Sequence, residues 1–140
     1  MTTSSSFANW RRRLAPNISP ILEHFPPVRF FAVRFLKMKQ SGKLERCGLN
    51  FKLPSGDFGV TFEAESTGEY EPVTTKLLEG LLEEGMTFID IGAHVGLFVL
   101  PASKWVGAKG RVVAFEPHPE NFAMLEDNIA NNALPSNIEA

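Results

Sequence analysis

The stretch FIDIGAHVGLF, residues 88–98, constrains this chain more than any other, because a short apolar run ends there in an acid and a glycine-bearing turn. Phe88, Ile89 and Ile91 read as a buried strand, since a brief β-rich run bounded by glycine suits a parallel sheet better than a surface loop. Gly92 and Gly96 fall in the turn that follows. Such a turn leaves bare backbone open to a ligand and aims the N–H groups of the next helix towards it. Taken alone, the pattern fits a plain strand-to-helix connection equally well, because short glycine patterns recur by chance.

What surrounds the turn gives it a context. LFVLPASKWV predicts a helix that Pro101 joins in its first turn or kinks, and GAKG ends it. RVVAFE reads as a second buried strand. PENFAMLEDNIANN predicts a helix with Pro119 at its first position and Phe122, Leu125 and Ile129 on one face, and NIEA begins a third strand. Upstream, YEPVTTKLLEGLL places Val73, Leu77, Leu78 and Leu81 on one helical face, with Pro72 near the start and Gly85 past the end. The resulting βαβαβ order predicts an α/β fold with a Rossmann-like, doubly wound parallel sheet, in which ligands sit beyond the carboxyl ends of the strands. Gly92, Gly96 and Glu116 all belong to that edge.

The first 68 residues are expected to be a separate region. Residues 1–27, with WRRR and prolines at 16, 20, 26 and 27, read as an irregular or mobile basic leader. Over residues 28–68, Val28, Phe31, Ala32 and Phe35 recur at helical spacing, and GLNFKLP and FGVTFEA flank the turn residues PSGD as a β-hairpin would. Residues 69–140 then form the ligand-binding α/β domain.

Charge is unevenly divided along the chain. Residues 1–44 hold eight Lys and Arg against Glu23 alone, a local charge of +7, while the remainder carries −9. A basic arm of this kind can serve nucleic acid, a membrane surface or the chain's own acidic body. Nucleic acid is not expected, because the basic surface is short for phosphate tracking. No apolar run reaches membrane-spanning length, Arg29 and Arg34 interrupt the nearest thing to a signal sequence, and a cytoplasmic location follows by default. Cys47 is alone, which excludes an internal disulfide, and it reads as an inert, partly buried thiol. His24, His94 and His118 show no metal-ligand spacing, so no metal is expected.

Glu116 ends the second strand, 20 residues after Gly96, where the hydroxyls of a ribose would be held. A carboxylate there accepts two hydrogen bonds from a vicinal diol, although a solvated strand-end glutamate is the common alternative. The turn lacks the G-x-G-x-x-G of a nicotinamide dinucleotide site, and Asp90 at the end of the first strand repels phosphate. It suits the ammonium of a methionine moiety instead.

FIDIGAHVGLF followed by VVAFEPHPENFAMLEDNIANN resembles the FkbM-type methyltransferases, a branch of the S-adenosylmethionine-dependent class I fold. The matching positions are Asp90, Gly92, Ala93 and Gly96, then Phe115, Glu116, Pro117, Pro119 and Asn121, then Leu125, Asn128 and Asn131. GEYEP, residues 68–72, resembles the segment that precedes the domain. The resemblance implies that Asp90, Gly92, Ala93 and Gly96 line the methionine end of S-adenosylmethionine, that Glu116 holds its ribose, and that Pro117 and His118 flank adenine. It also implies O-methylation of a small-molecule or glycan hydroxyl. His94 stands where the family usually has asparagine.

A complete domain of this type has further strands and helices after the third strand, so the chain reads as an N-terminal portion truncated there and inactive alone. No acceptor-side base is assigned. The unpaired sheet edge is expected to favour self-association. Two other readings stay open: a non-catalytic cofactor-binding or interaction module, and, more weakly, half of a nicotinamide-dependent oxidoreductase.

Overall fold

A computed structural model describes residues 42–54, 60–61, 64 and 68–140. The expected leader, residues 1–27, and the amphipathic helix expected over 28–39 lie outside the described residues.

A two-stranded antiparallel hairpin comes first, β1 (Lys43–Arg46) and β2 (Leu49–Lys52), paired so that Leu44 faces Phe51 and Arg46 faces Leu49. Alternation in KLER and LNFK turns Leu44, Arg46, Leu49 and Phe51 inward. The two residues between the strands, Cys47 and Gly48, have φ of 54° and 65°, the left-handed pair that a tight two-residue hairpin requires. This corrects the expected pairing. GLNFKLP does form a strand, but its partner is the segment before it, and Val60, Thr61 and Ala64 of FGVTFEA are helical. The residue types of PSGD are turn formers, whereas Cys is a poor turn signal. Cys47 itself is exposed rather than partly buried.

Helix α1 (Pro72–Leu81) precedes the parallel sheet β3 (Thr87–Ile91), β4 (Arg111–Phe115) and β5 (Ile138–Glu139), ordered β3-β4-β5. Helix α2 (Val99–Val106) connects β3 to β4, and α3 (Pro119–Ala130) connects β4 to β5. Pro101 lies in the first turn of α2 and Pro119 at the start of α3, where a missing N–H costs no helical hydrogen bond. The core joins the inward side of the hairpin to Val95, Leu97, Val99, Leu100, Val106, Val112, Ala114 and Leu125.

The sheet is covered on one side. Ile89 pairs with Val113 and Ile91 with Phe115, and along this side Ile89, Ile91 and Phe115 are 58%, 84% and 56% exposed. Val112 and Ala114, on the other side, are buried. The expectation that Ile89 and Ile91 lie in a buried strand is therefore corrected: the strand is present, but nothing among the described residues packs on that side. On helix α1, of the four residues expected to share one side, Val73, Leu77 and Leu81 are exposed and Leu78 is partly buried, as are Thr75 and Leu82.

Two asparagines attach the hairpin to the domain. On α3, Asn128 Oδ1 accepts from Lys52 N–H at 2.7 Å, and Asn128 Nδ2 donates to Lys52 O at 3.0 Å. One turn later Asn132 repeats the pattern with Asn50, accepting at 2.9 Å and donating at 2.8 Å. Asn50 and Lys52 thus pair with side-chain amides as they would with a neighbouring strand, and the outer edge of β2 is closed. Asn128 is 1% exposed, so its bonds have little competition from water.

Two outcomes are expected. Asn128→Ala leaves Lys52 N–H and two carbonyls without that partner and should lower unfolding free energy by about 2–4 kcal/mol. Urea unfolding should show this as a lower midpoint at unchanged slope. The folded chain should also bind a hydrophobic dye such as ANS, and Ile89→Ser with Ile91→Ser should reduce that fluorescence without loss of circular-dichroism signal.

Candidate functional site

The turn between β3 and α2 alternates left-handed residues with buried ones. Gly92, His94 and Gly96 have φ of 85°, 51° and 90°, whereas Ala93 and Val95 point into the core. Left-handed backbone is costly for most side chains, but asparagine and histidine tolerate it better than others. This supplies a physical reason for asparagine at the position of His94 in the family pattern, and for histidine as a substitute.

The two glycines do different work. A Cβ on Gly92 would meet nothing within 4 Å, so the space before it is open. A Cβ on Gly96 would lie 2.6 Å from Leu100 Cδ1 and 2.7 Å from Leu125 Cδ1, so Gly96 serves close packing. An open cleft of about 660 Å³ lies beside Gly92, lined by Ile91, Gly92, Phe115, Glu116 and Pro117. Of the residues predicted to bind a ligand, Gly92, Glu116 and Pro117 line this cleft. Asp90 is half-buried behind it, Ala93 and Gly96 are buried in the packing of the turn, and His118 is exposed at the start of α3. Ile91 and Phe115 also line the cleft. Both lie in runs expected to be buried strands; their exposure follows from the side of the sheet on which nothing among the described residues packs, which no local pattern reveals.

The amides of the turn are already engaged. Gly92 N–H and Ala93 N–H both donate to Phe115 O, at 2.8 and 3.0 Å, and His94 N–H donates to Glu116 Oε2 at 2.7 Å. Of these three amides, that of His94 is the one that holds an anion, the chain's own Glu116 carboxylate. His118 N–H donates to Glu116 Oε1 at 2.9 Å. Burial pushes the Glu116 carboxyl up, but hydrogen bonds from His118 and His94 N–H and the Asn121 side chain, with the charge of His94, bring it below its ordinary 4.5. Asp90 moves the other way, raised above 3.8 by burial and by the nearby negative charge of Glu116. Among the described residues, no group of His, Cys, Asp and Glu could hold a metal ion, and no basic side chain lines the cleft.

A parallel sheet with a glycine turn at its carboxyl edge, followed by an acid ending the next strand, is a Rossmann-like α/β arrangement. Residues 90–139 match the family model of the methyltransferase FkbM domain, and the resemblance read from the two motifs stands on that match. A protein from Pyrococcus horikoshii is similar in fold, with a TM-score of 0.51 at 20% identity over 70% of this chain and 34% of its own. A SAM dependent methyltransferase from Aquifex aeolicus is 32% identical over 49% of this chain and 36% of its own, with a TM-score of 0.44. The chain thus spans between 34% and 36% of the length of these two solved structures. No curated protein sequence matches it significantly. Among the described residues, no helix is long and apolar enough to cross a membrane.

The opposed shifts of the two acids give opposite pH signatures. Asp90 holds its proton more tightly when folded, so it subtracts stability as pH rises from 3.8 through its raised value, and the penalty is complete at neutral pH. Glu116 adds stability that is complete above 4.5 and is lost as pH falls through its lowered value. Urea titrations over a pH series should find Asp90→Asn more stable than wild type at neutral pH and Glu116→Gln less stable. Both differences should shrink towards acid.

Proposed function

We propose that the chain carries the cofactor-binding part of an S-adenosylmethionine-dependent O-methyltransferase, acting in the cytoplasm on a hydroxyl of a small molecule or glycan. The observation that carries this reading is an acid in the cleft lining with a second acid half-buried behind it. Glu116 presents a carboxylate there, Asp90 stands close enough to repel it, and no lysine or arginine of the lining offsets them. A cationic nucleoside relieves that repulsion, whereas an anionic dinucleotide increases it.

The residues present fit such a ligand. Gly92 leaves open space in front of its Cα, and Ile91, Phe115 and Pro117 offer apolar surface to a base. Glu116 is fixed by donors from His94, His118 and Asn121, and two carboxylate oxygens still have acceptor capacity for a ribose diol. Asp90 supplies negative charge for an ammonium. Ala93 and Gly96 act by shaping the turn. When bound, the cofactor supplies a methyl group already activated on its sulfonium. The chain's own contribution is to hold and orient it, and to keep phosphate out because the turn amides are spent on Phe115 O and Glu116. That last point also counsels against half of a nicotinamide-dependent oxidoreductase.

A non-catalytic role has its own support in the exposed Ile89, Ile91 and Phe115, which suit association through the open edge and face of β3, including self-association.

Calorimetric titration of the full chain with S-adenosylmethionine tests the main reading. Glu116→Ala should weaken binding by about 1.5–3 kcal/mol, the range for a hydrogen bond to a charged group. Affinity for the wild type should rise with pH as Asp90 ionises. Equal affinity of wild type and Glu116→Ala would remove Glu116 from the site, and binding of NADH without S-adenosylmethionine would favour the oxidoreductase.

A further inference from the structure

Gly96 is gripped from both sides by polar side chains that belong to neither the turn nor the cleft. The carbonyl before it, Val95 O, accepts from Asn128 Nδ2 at 2.9 Å. The carbonyl after it, Leu97 O, accepts from Arg46 Nη1 at 2.8 Å. Arg46 lies on the inward side of β1 and is 7% exposed. Its other guanidinium nitrogen, Nη2, donates to Thr75 Oγ1 and, at 3.4 Å, to Tyr70 O. Thr75 Oγ1 in turn donates to Tyr70 O at 3.0 Å, and the Tyr70 ring packs on Phe98 with centroids 5.4 Å apart.

All three acceptors of Arg46 are neutral, so ion pairing does not account for a charge in this place. Burying a guanidinium is costly unless its fork is satisfied by well-placed acceptors. What the fork accomplishes is geometric: one planar group fixes the start of α1 and the exit of the glycine turn relative to β1. Asn128 does the same from the other side, because it holds Lys52 N–H and O on β2 as well as Val95 O. Both strands of the hairpin are therefore tied to the two carbonyls that flank Gly96, a residue whose φ of 90° leaves its neighbours' orientation sensitive to any loss of restraint.

We infer that Arg46 and Asn128 are positioning residues, which clamp the glycine turn so that His94 N–H meets Glu116 Oε2 and the carboxylate is held towards the cleft. The hairpin thereby becomes a working part of the site, although none of its side chains lines the cleft. The inference rests on the cofactor reading above for its consequence in binding, but the clamp itself is a statement about the turn and is measured without any ligand.

Amide hydrogen exchange on the full chain reads the turn directly. The variants are Arg46→Lys, which keeps charge but loses the fork, and Asn128→Asp, which keeps the acceptor for Lys52 N–H but loses both donors. In either folded variant, exchange at His94, Gly96 and Leu100 should quicken by about tenfold or more while Val113 and Ala114 in the sheet stay protected. Lys104→Ala, which removes a bond from α2 to Cys47 O, should leave the turn unchanged. Exchange that rises equally in turn and sheet, or does not rise in the turn of either folded variant, overturns the clamp. S-adenosylmethionine titrations then separate the two ideas. Wild type that binds, with Arg46→Lys weakened several-fold, supports both. Wild type that does not bind, with exchange still selectively raised, leaves the clamp standing and sinks the cofactor reading.

Discussion

The Asn128 side chain is the contact on which the described structure most depends. One amide, 1% exposed, bonds to β2 at two points and to the glycine turn at a third. A two-stranded hairpin has too little apolar surface to be stable in isolation. Here Leu44, Leu49 and Phe51 bury one side against the core, and Asn128 with Asn132 satisfies the edge that would otherwise be open. By comparison the Lys52–Asp127 ion pair between the same elements is more than half exposed at both ends and adds little. Docking in this structure rests on buried amides.

The second constraint is that a glycine turn can bind either an external anion or an internal one. Here Gly92, Ala93 and His94 spend their amides on Phe115 O and on Glu116, so the turn orients a carboxylate instead of receiving a phosphate. That choice carries a cost in the fold. Glu116 is stabilised by its donors, but the burial of Asp90 itself, together with the charge of Glu116, raises the Asp90 carboxyl above its ordinary 3.8.

Elements with a local signal were legible in the sequence, and relations between elements were less so. Pro72, Pro119 and the paired runs FIDI and VVAF marked helices and strands because proline geometry and β-rich patterning act over a few residues. Periodicity in α1 identified a helix and a side shared by Val73, Leu77 and Leu81 but not that this side is exposed, since nothing local says what it packs against. The hairpin was missed in register for a similar reason. PSGD has the composition of a turn, whereas Cys47 and Gly48 have only the conformation. Gly92 and Glu116 line the cleft, at the carboxyl edge of the sheet where their positions in the sequence put them. Arg46 was not legible, because a charged residue in an alternating strand gives no sign that it faces inward. Asn128 was visible only as part of a motif whose purpose the fold supplies.

Gly92 and Gly96 show how one short motif can encode two separate requirements. Both are left-handed, so both positions favour glycine for backbone reasons. Beyond that they diverge. Gly92 faces the open space of the cleft, whereas Gly96 faces Leu100 and Leu125, and a side chain there would meet the core. The residues between them follow the same division: Ala93 and Val95 turn inward, while the His94 amide reaches Glu116. A turn built this way is anchored by its buried positions so that its open ones can be held still. The hairpin bears on function through that anchoring, since the carbonyls of Val95 and Leu97 are where Asn128 and Arg46 take hold.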